Sequence, residues 1–254
     1  MRYPTVSECV DVFDSLWPPS LAEDWDTVGL AVGDPDAEVR SILLALDPTD
    51  AVIAEAVVLG ADLLFTHHPL MLRPVSSVSA GTLKGGAVHT LITNGIAQFN
   101  AHTNADSAVG GVSDVLIDLI GVTDSSPLVP DPADPARGIG RVGDLGEPTT
   151  VRDIARTLAG RLPRTTTGVR IAGDPAAEVT RVAVCGGAGD SLFDAVRASG
   201  ADVYVTADLR HHPATEALDT GNRGDARPQL IDVSHWASEA VWLAAAAEAL
   251  DAEF

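Results

Sequence analysis

Basic residues are scarce in this chain. Lys and Arg together number 16 against 36 Asp and Glu in 254 residues, a formal net charge of −20. A surface of that sign repels nucleic-acid backbones and anionic lipid, which are held by clustered cations, so neither is expected as a partner. A small anionic substrate held by a metal ion stays compatible with it. Cysteine is nearly absent. Cys9 and Cys185 supply neither a ligand spacing nor a disulfide framework, and the natural reading is a reducing compartment. Long apolar runs are missing too. The most apolar stretch, "AVWLAAAAEAL" (240–250), is too short to cross a bilayer. The opening "MRYPTVSECVDVF" has no basic segment followed by an apolar run, so no secretory signal is read there. A cytoplasmic protein is expected. Aromatics are only 4% of the residues, so the interior must be built from the Ala, Val, Leu and Ile that dominate a 46% hydrophobic content. At this length that suffices for one large core or two small ones.

What is present repeats itself. Residues 42–66, "ILLALDPTDAVIAEAVVLGADLLFT", have a counterpart at 182–206, "VAVCGGAGDSLFDAVRASGADVYVT", at a constant offset. Each copy opens on an apolar run, passes through a loop into a helical period, stops at "GAD" and ends in a second apolar run. Strand, amphipathic helix, glycine stop and strand is the pattern of a βαβ unit with parallel strands. Both second strands are followed by "HHP", at 67–69 and, after four extra residues, at 211–213. Both halves then continue through a short helix to a third strand, "AQFN" (97–100) and "QLIDV" (229–233), and on to a His-x-x-x-acid, His102 to Asp106 and His235 to Glu239. The expected fold is α/β, with two similar α/β domains that present polar residues at the carboxyl ends of their strands, where open α/β sheets place their sites.

Outside the repeat, "VSECVDVFDSLW" (6–17) carries Val6, Val10, Phe13 and Trp17 on one helical face and stops at Pro18 and Pro19. The segment 123–138, rich in Pro and Asp, reads as a linker, which divides the chain into repeats 1–124 and 125–254. A strand over 138–145 and a helix over 150–162, with Thr149 or Thr150 as its N-cap, are expected after it.

Six of the seven histidines lie in these four motifs, with His89 alone outside. A single His-x-x-x-acid can be a helix-surface ion pair, but four histidine motifs at equivalent ends of a duplicated fold point to a metal site. The geometry favours two ions. Successive strand residues face opposite ways, so His67 and His68 suit separate ions in one pocket, reached by His235 and Glu239 from the first turn of a helix. A cation near a helix N-terminus opposes the dipole, so Asp106 and Glu239 must supply compensating charge. Imidazole with carboxylate suits Zn, Fe, Mn, Co or Ni over Ca or Mg. The "CGGAGDSL" turn (185–192) fits either a phosphate cradle or a tight strand-to-helix turn.

Taken in order, "EDWDTVGLAVGD" (23–34), "THHPL" (66–70), "HTNAD" (102–106), "CGGAGDSL", "GADVYVTADLRHHPA" (200–214) and "DVSHWASEA" (232–240) resemble the motifs of the Nif3-like proteins, dinuclear-metal proteins often labelled GTP cyclohydrolase type 2 homologs. The resemblance spans almost the whole chain. It implies two similar, intertwined α/β domains, assembled as a toroidal homohexamer with metal sites opening on an inner cavity. Position by position it implies His67, His68, Asp106, His235 and Glu239 as ligands of two divalent ions, with Glu239 bridging. His102 and His212 match family histidines that are not its usual ligands, and Asp26, Gly29 and Leu30 match a "WDxxGL" segment. Thr27, Ser234 and Trp236 depart from the common Asn, Gly, and Tyr or Phe. Some relatives carry a long insertion between the halves, for which this chain has no room.

The function expected is a metal-dependent hydrolase, with His102 or His212 moving the proton. The resemblance implies a purine nucleotide such as GTP as substrate, while the residues suit phosphoester hydrolysis equally. The alternative is a non-catalytic metal-binding hexameric scaffold or regulatory protein.

Overall fold

In the computed structural model, which describes residues 2–220 and 228–254, the chain forms two compact units. One is Met1–Ala108 with Ala246–Phe254, the other Val109–Ala245. The expected α/β architecture is present in each.

The first unit opens with helix α1 (Val6–Leu16), started by a capping box: the Thr5 hydroxyl accepts from the Glu8 N–H at 3.3 Å, and the Glu8 carboxylate accepts from the Thr5 N–H at 2.8 Å. Strand β1 (Gly29–Val32) follows, then β2 (Ile42–Ala45), α2 (Asp50–Leu59), β3 (Leu63–Thr66), α3 (Leu83–Thr93), β4 (Ala97–Asn100) and α4 (Thr103–Ser107). The sheet runs β1-β4-β3-β2, with β2, β3 and β4 parallel and β1 antiparallel at the edge. Gly60, the glycine of the first "GAD", ends α2 at φ +65°, a left-handed turn that a side chain would resist. Consecutive residues of β3 face opposite layers. Leu64 packs with Ile53 and Ala56 of α2 and Val88 and Leu91 of α3, while Phe65 meets Phe13 of α1 edge-on at 5.2 Å and stacks on Phe99.

The second unit contains α5 (Val112–Asp118), β5 (Ser125–Pro130), β6 (Gly138–Thr150), α6 (Val151–Arg161), β7 (Arg170–Ala172), β8 (Glu178–Ala188), α7 (Phe193–Ser199), β9 (Val203–Ala207), α8 (His211–Thr220), β10 (Gln229–Val233) and α9 (His235–Ala240). Its sheet runs β5-β6-β8-β9-β10-β7, with β8, β9 and β10 parallel. Val182, Val184, Val203 and Val205 face a core with Leu116, Ile154 and Leu158, and the alternate residues Ala183, Cys185 and Tyr204 face Phe193 and Val196. Thr150 caps α6 by accepting from the Asp153 N–H at 3.2 Å. The last helix, α10 (Trp242–Glu253), starts in the second unit and ends in the first, where Phe254 meets Phe13 at 6.5 Å. Among the described residues no helix is long and apolar enough to cross a membrane.

The duplication runs further than the sequence showed. The succession α1-β1-β2-α2-β3-α3-β4-α4 is repeated as α6-β7-β8-α7-β9-α8-β10-α9, and in each copy an antiparallel edge strand flanks the third parallel strand, β1 on β4 and β7 on β10. The segment 123–138 corrects one expectation. It is not merely a linker, because Ser125–Pro130 forms β5, which pairs antiparallel with β6. Its two prolines are tolerated because β5 is the sheet edge, where a missing N–H interrupts no ladder. The compact units accordingly part between Ala108 and Val109, not at 124/125: α5 belongs to the second core through Leu116 and Ile117, as does Val122 after it.

Candidate metal centre

In the first unit the three parallel strands end side by side, and each delivers polar side chains at its carboxyl end. Thr66 at the end of β3 pairs with Asn100 at the end of β4, so His67 and His68 leave the sheet next to His102. The His67 and His68 ring centroids lie 5.1 Å apart, and that of His102 lies 5.2 and 5.4 Å from them. One ligand nitrogen from each of these three rings falls within 4.8 Å of the other two, a group that can hold a metal ion. Asp106, one turn into α4, brings Oδ1 to 3.7 Å from His67 Nε2.

Each ring is gripped on the opposite side. His67 Nδ1 is 2.9 Å from the Ala101 carbonyl oxygen, His68 Nδ1 is 2.7 Å from Asp47 Oδ1, and His102 Nδ1 is 2.8 Å from Asp26 Oδ1. Carbonyl and carboxylate oxygens only accept, so Nδ1 carries the proton and a neutral ring has its lone pair on Nε2. That is the arrangement of metal-ligating histidines, whose second nitrogen donates to an oxygen that fixes tautomer and ring plane. Asp26 is itself anchored: its Oδ2 accepts from the Thr103 N–H at 3.0 Å and from the Thr103 hydroxyl at 2.5 Å. Burial alone would raise its pKa, but the hydrogen bonds from His102 and Thr103 outweigh it and hold the carboxyl well below the usual carboxylate range. Trp25 meets the His102 ring edge-on at 5.9 Å.

The second unit repeats the device. His235 is the first residue of α9 after β10, and Glu239 lies one turn on, its Oε1 3.1 Å from His235 Nε2. His235 Nδ1 is 2.7 Å from Asp208 Oδ2. Hydrogen bonding to Glu239 raises the His235 pKa to about 9 against the effect of burial, and Asp208 adds to the rise. Glycine brings β8 close to this pair. A Cβ at Gly187, where φ is +63°, would stand 2.3 Å from Glu239 Oε1 and 3.2 Å from the His235 ring, and the Gly187 N–H donates to the Ser238 hydroxyl at 3.0 Å. A Cβ at Gly189 would fall 2.1 Å from the Tyr204 hydroxyl. The glycines of "CGGAGDSL" are therefore accounted for by close packing at a tight strand-to-helix turn. The helix that follows, α7, has only seven residues.

Of the candidates named from sequence, the structure brings His67, His68, His102 and Asp106 together in one unit and His235 with Glu239 in the other. It does not bring His212 into either set. That residue is exposed at the start of α8, its ring 5.3 Å from His211, and it belongs to no metal-holding group among the described residues. His89 lies on α3, also outside such groups. Asp47 and Asp208 were missed. Each is among the first acids after an apolar strand, in "LALDP" and "VTADL", a weak signal that becomes informative only once the neighbouring strand is known to end in a histidine.

Fold and side chains together define an α/β protein with duplicated histidine and carboxylate clusters at the carboxyl ends of its parallel strands. The chain belongs to the Duf34/NIF3 (NGG1p interacting factor 3) family, whose profile matches residues 4–254. It is 53% identical over 250 residues, 98% of this chain and 86% of the relative, to a Streptomyces coelicolor protein named GTP cyclohydrolase 1 type 2 homolog. A Mycobacterium bovis protein of the same name is 36% identical over 355 aligned positions, covering 98% of this chain and 92% of the relative. That alignment is longer than this chain, so the mycobacterial protein carries an insertion relative to it. Among solved structures, a Bacillus cereus protein related to NIF3 superposes with a TM-score of 0.87 at 25% identity, covering 100% of this chain and 94% of that one.

Proposed function

We propose that the two ligand sets hold two divalent cations per chain and that the protein is a metal-dependent hydrolase of a small molecule. The observation that carries the reading is the uniform gripping of His67, His68, His102 and His235 at Nδ1, which fixes the plane of each ring, with Asp106 beside His67 and Glu239 beside His235. The donor set fits the group. Mixed imidazole and carboxylate favours Zn, Fe, Mn, Co or Ni, and both carboxylates stand beside ring nitrogens, Asp106 by His67 and Glu239 by His235. His67, His68, Asp106, His235 and Glu239 would be the ligands, and Glu239 would be the bridge. A bound ion of this kind lowers the pKa of coordinated water and stabilises charge on the attacked centre.

The chain's own residues supply the proton chemistry. His102, oriented by the buried Asp26 and close to both His67 and His68, is the general acid–base, a role that contributes about 10²–10⁴-fold. His212 is exposed and has no such carboxylate partner among the described residues, so the proton transfer is assigned to His102 alone. The substrate class is a purine nucleotide of the GTP type or a phosphoester, supported by the names of the relatives for the first and by the ligand chemistry for both. Metal analysis of the purified protein, followed by a turnover screen across nucleotides and phosphoesters, tests this. About two ions per chain and hydrolysis abolished by chelation and restored by added ion are expected. Metal loading with no turnover anywhere in the screen would instead favour the non-catalytic scaffold.

We further propose a homo-oligomer, the toroidal hexamer of the resemblance, in the cytoplasm. Exposed apolar side chains support an interface: Val58 is 85% exposed on α2 and Leu59 follows it, with Leu83 and Ile92 on α3. Light scattering at micromolar concentration is expected to give a mass several-fold above the 26.3 kDa of one chain. A monomer would remove the toroid.

A further inference from the structure

We propose that Asp208 is a positioning residue of the second ligand set, holding the His235 ring from behind so that Nε2 is presented to a cation, and that residues 207–210 are there to deliver it. The inference rests on reading the site as a metal centre. Its observation is separate: among the described residues Asp208 is the one non-glycine residue with positive φ, at +55°. Aspartate tolerates the left-handed region better than most residues, but still at a cost, and such conformations persist where the surroundings hold them for a purpose.

The duplication says what the purpose is. Thr66 pairs with Asn100 where β3 and β4 end, and Ala207 pairs with Val233 where β9 and β10 end. Two residues past Asn100 stands His102, and two past Val233 stands His235. Thr66 is followed directly by the histidine pair, whereas Thr206 is followed by four extra residues that include Asp208. The second half thus presents a carboxylate at the strand end where the first presents ligands. The left-handed turn then brings that carboxylate to 2.7 Å from His235 Nδ1, the same contact that Asp26 makes to His102 and Asp47 to His68. The extra residues "ADLR" of the second half contain it.

Two carboxylates compete for the single proton of the neutral His235 ring, Asp208 at Nδ1 and Glu239 at Nε2, 3.1 Å away. Asp208, the closer, keeps the proton on Nδ1. Without it the proton shifts to Nε2, the nitrogen a metal needs. Two variants separate positioning from turn formation. Asp208→Gly suits the left-handed backbone better than aspartate, so the thermal midpoint of the metal-free protein is expected to hold or rise, while Zn²⁺ affinity, read by competition with a chromophoric chelator, falls by about 10–100-fold. Asp208→Asn keeps an acceptor without the charge and is expected to lose less. With the ring titrated to its neutral form, ¹⁵N shifts of the metal-free protein should report an Nδ1–H imidazole at His235 in the parent and an Nε2–H imidazole in Asp208→Gly. Unchanged Zn²⁺ affinity with an unchanged tautomer in Asp208→Gly overturns the proposal. If the parent chain takes up no Zn²⁺, the metal-centre reading fails and the ring tautomer alone decides: an altered tautomer in Asp208→Gly sustains the positioning role, and an unaltered one ends it.

Discussion

Replacing Glu239 with alanine is expected to strip the protein of both ions. The carboxylate is buried, its Oε1 lies 3.1 Å from His235 Nε2, and the absence of a side chain at Gly187 lets β8 close over it. If it bridges as proposed, its loss would remove a ligand from each ion and one negative charge that offsets their mutual repulsion, which would work against the second ion even where its other ligands survive. A smaller effect runs the other way. Glu239 is the main reason that His235 keeps its proton up to about 9, so its removal eases the proton's competition for the ring. Metal lost in spite of that is lost for want of the carboxylate. The measurement is metal per chain after gel filtration, expected to fall from about two to none, with any hydrolytic activity falling alongside. One tightly held ion in Glu239→Ala would show that Glu239 serves a single site. Glu239→Gln, which keeps the shape and removes the charge, should behave like the alanine variant.

Much of this centre is legible before any coordinates. The apolar run ending in "HHP" marks a buried strand whose carboxyl end carries ligands, and β3 stops at Thr66, immediately before His67. The glycine of each "GAD" stops its helix as read, with Gly60 at φ +65° and Gly200 at φ +73°. His235 and Glu239 fall on one face because a helix begins at the histidine. What stayed hidden has physical reasons. β7 has three residues and β1 four, too short for alternation to show, so the edge strands that complete each copy were not seen. The prolines of 125–130 suggested a linker because proline punctuates loops more often than it lines a sheet edge. Asp47 and Asp208 act on histidines 21 and 27 residues away. No periodicity links such pairs; only the parallel pairing of adjacent strands brings them together.

The largest stability effect is expected away from the ligands, at Arg141. Its side chain is 2% exposed, and four of its N–H donors are directed at oxygen. The guanidinium forks onto the Asp114 carboxylate through Nε and through NH2, the latter at 2.8 Å, and NH1 donates to the carbonyls of Gly138 and Gly140 at 2.6 and 2.8 Å. Asp114 in turn accepts from the Gly110 and Gly111 N–H groups at the start of α5. One cation thus ties β6 to a helix terminus. Exposed pairs in this chain, such as Arg156 with Asp153, contribute little, since water competes for both partners. Breaking a buried pair is different, because the surviving partner keeps its desolvation cost without compensation, and about 3–5 kcal/mol is the usual loss. In a unit of this size, Arg141→Ala should lower the thermal midpoint by roughly 10 °C. The consequence reaches the second ligand set through α5. Ser113 accepts from the Gly186 N–H at 3.3 Å, and a Cβ at Gly186 would fall 2.5 Å from Val112, so a loosened α5 no longer braces the strand that packs Glu239. Arg141→Ala should therefore bind metal more weakly as well as unfold earlier, whereas Asp114→Asn, which keeps an acceptor for the guanidinium, should do both to a lesser degree. A midpoint within 2 °C of the parent, by calorimetry of the metal-free protein, would mean that desolvation had already cancelled the attraction of the pair and that α5 is held by its apolar face alone.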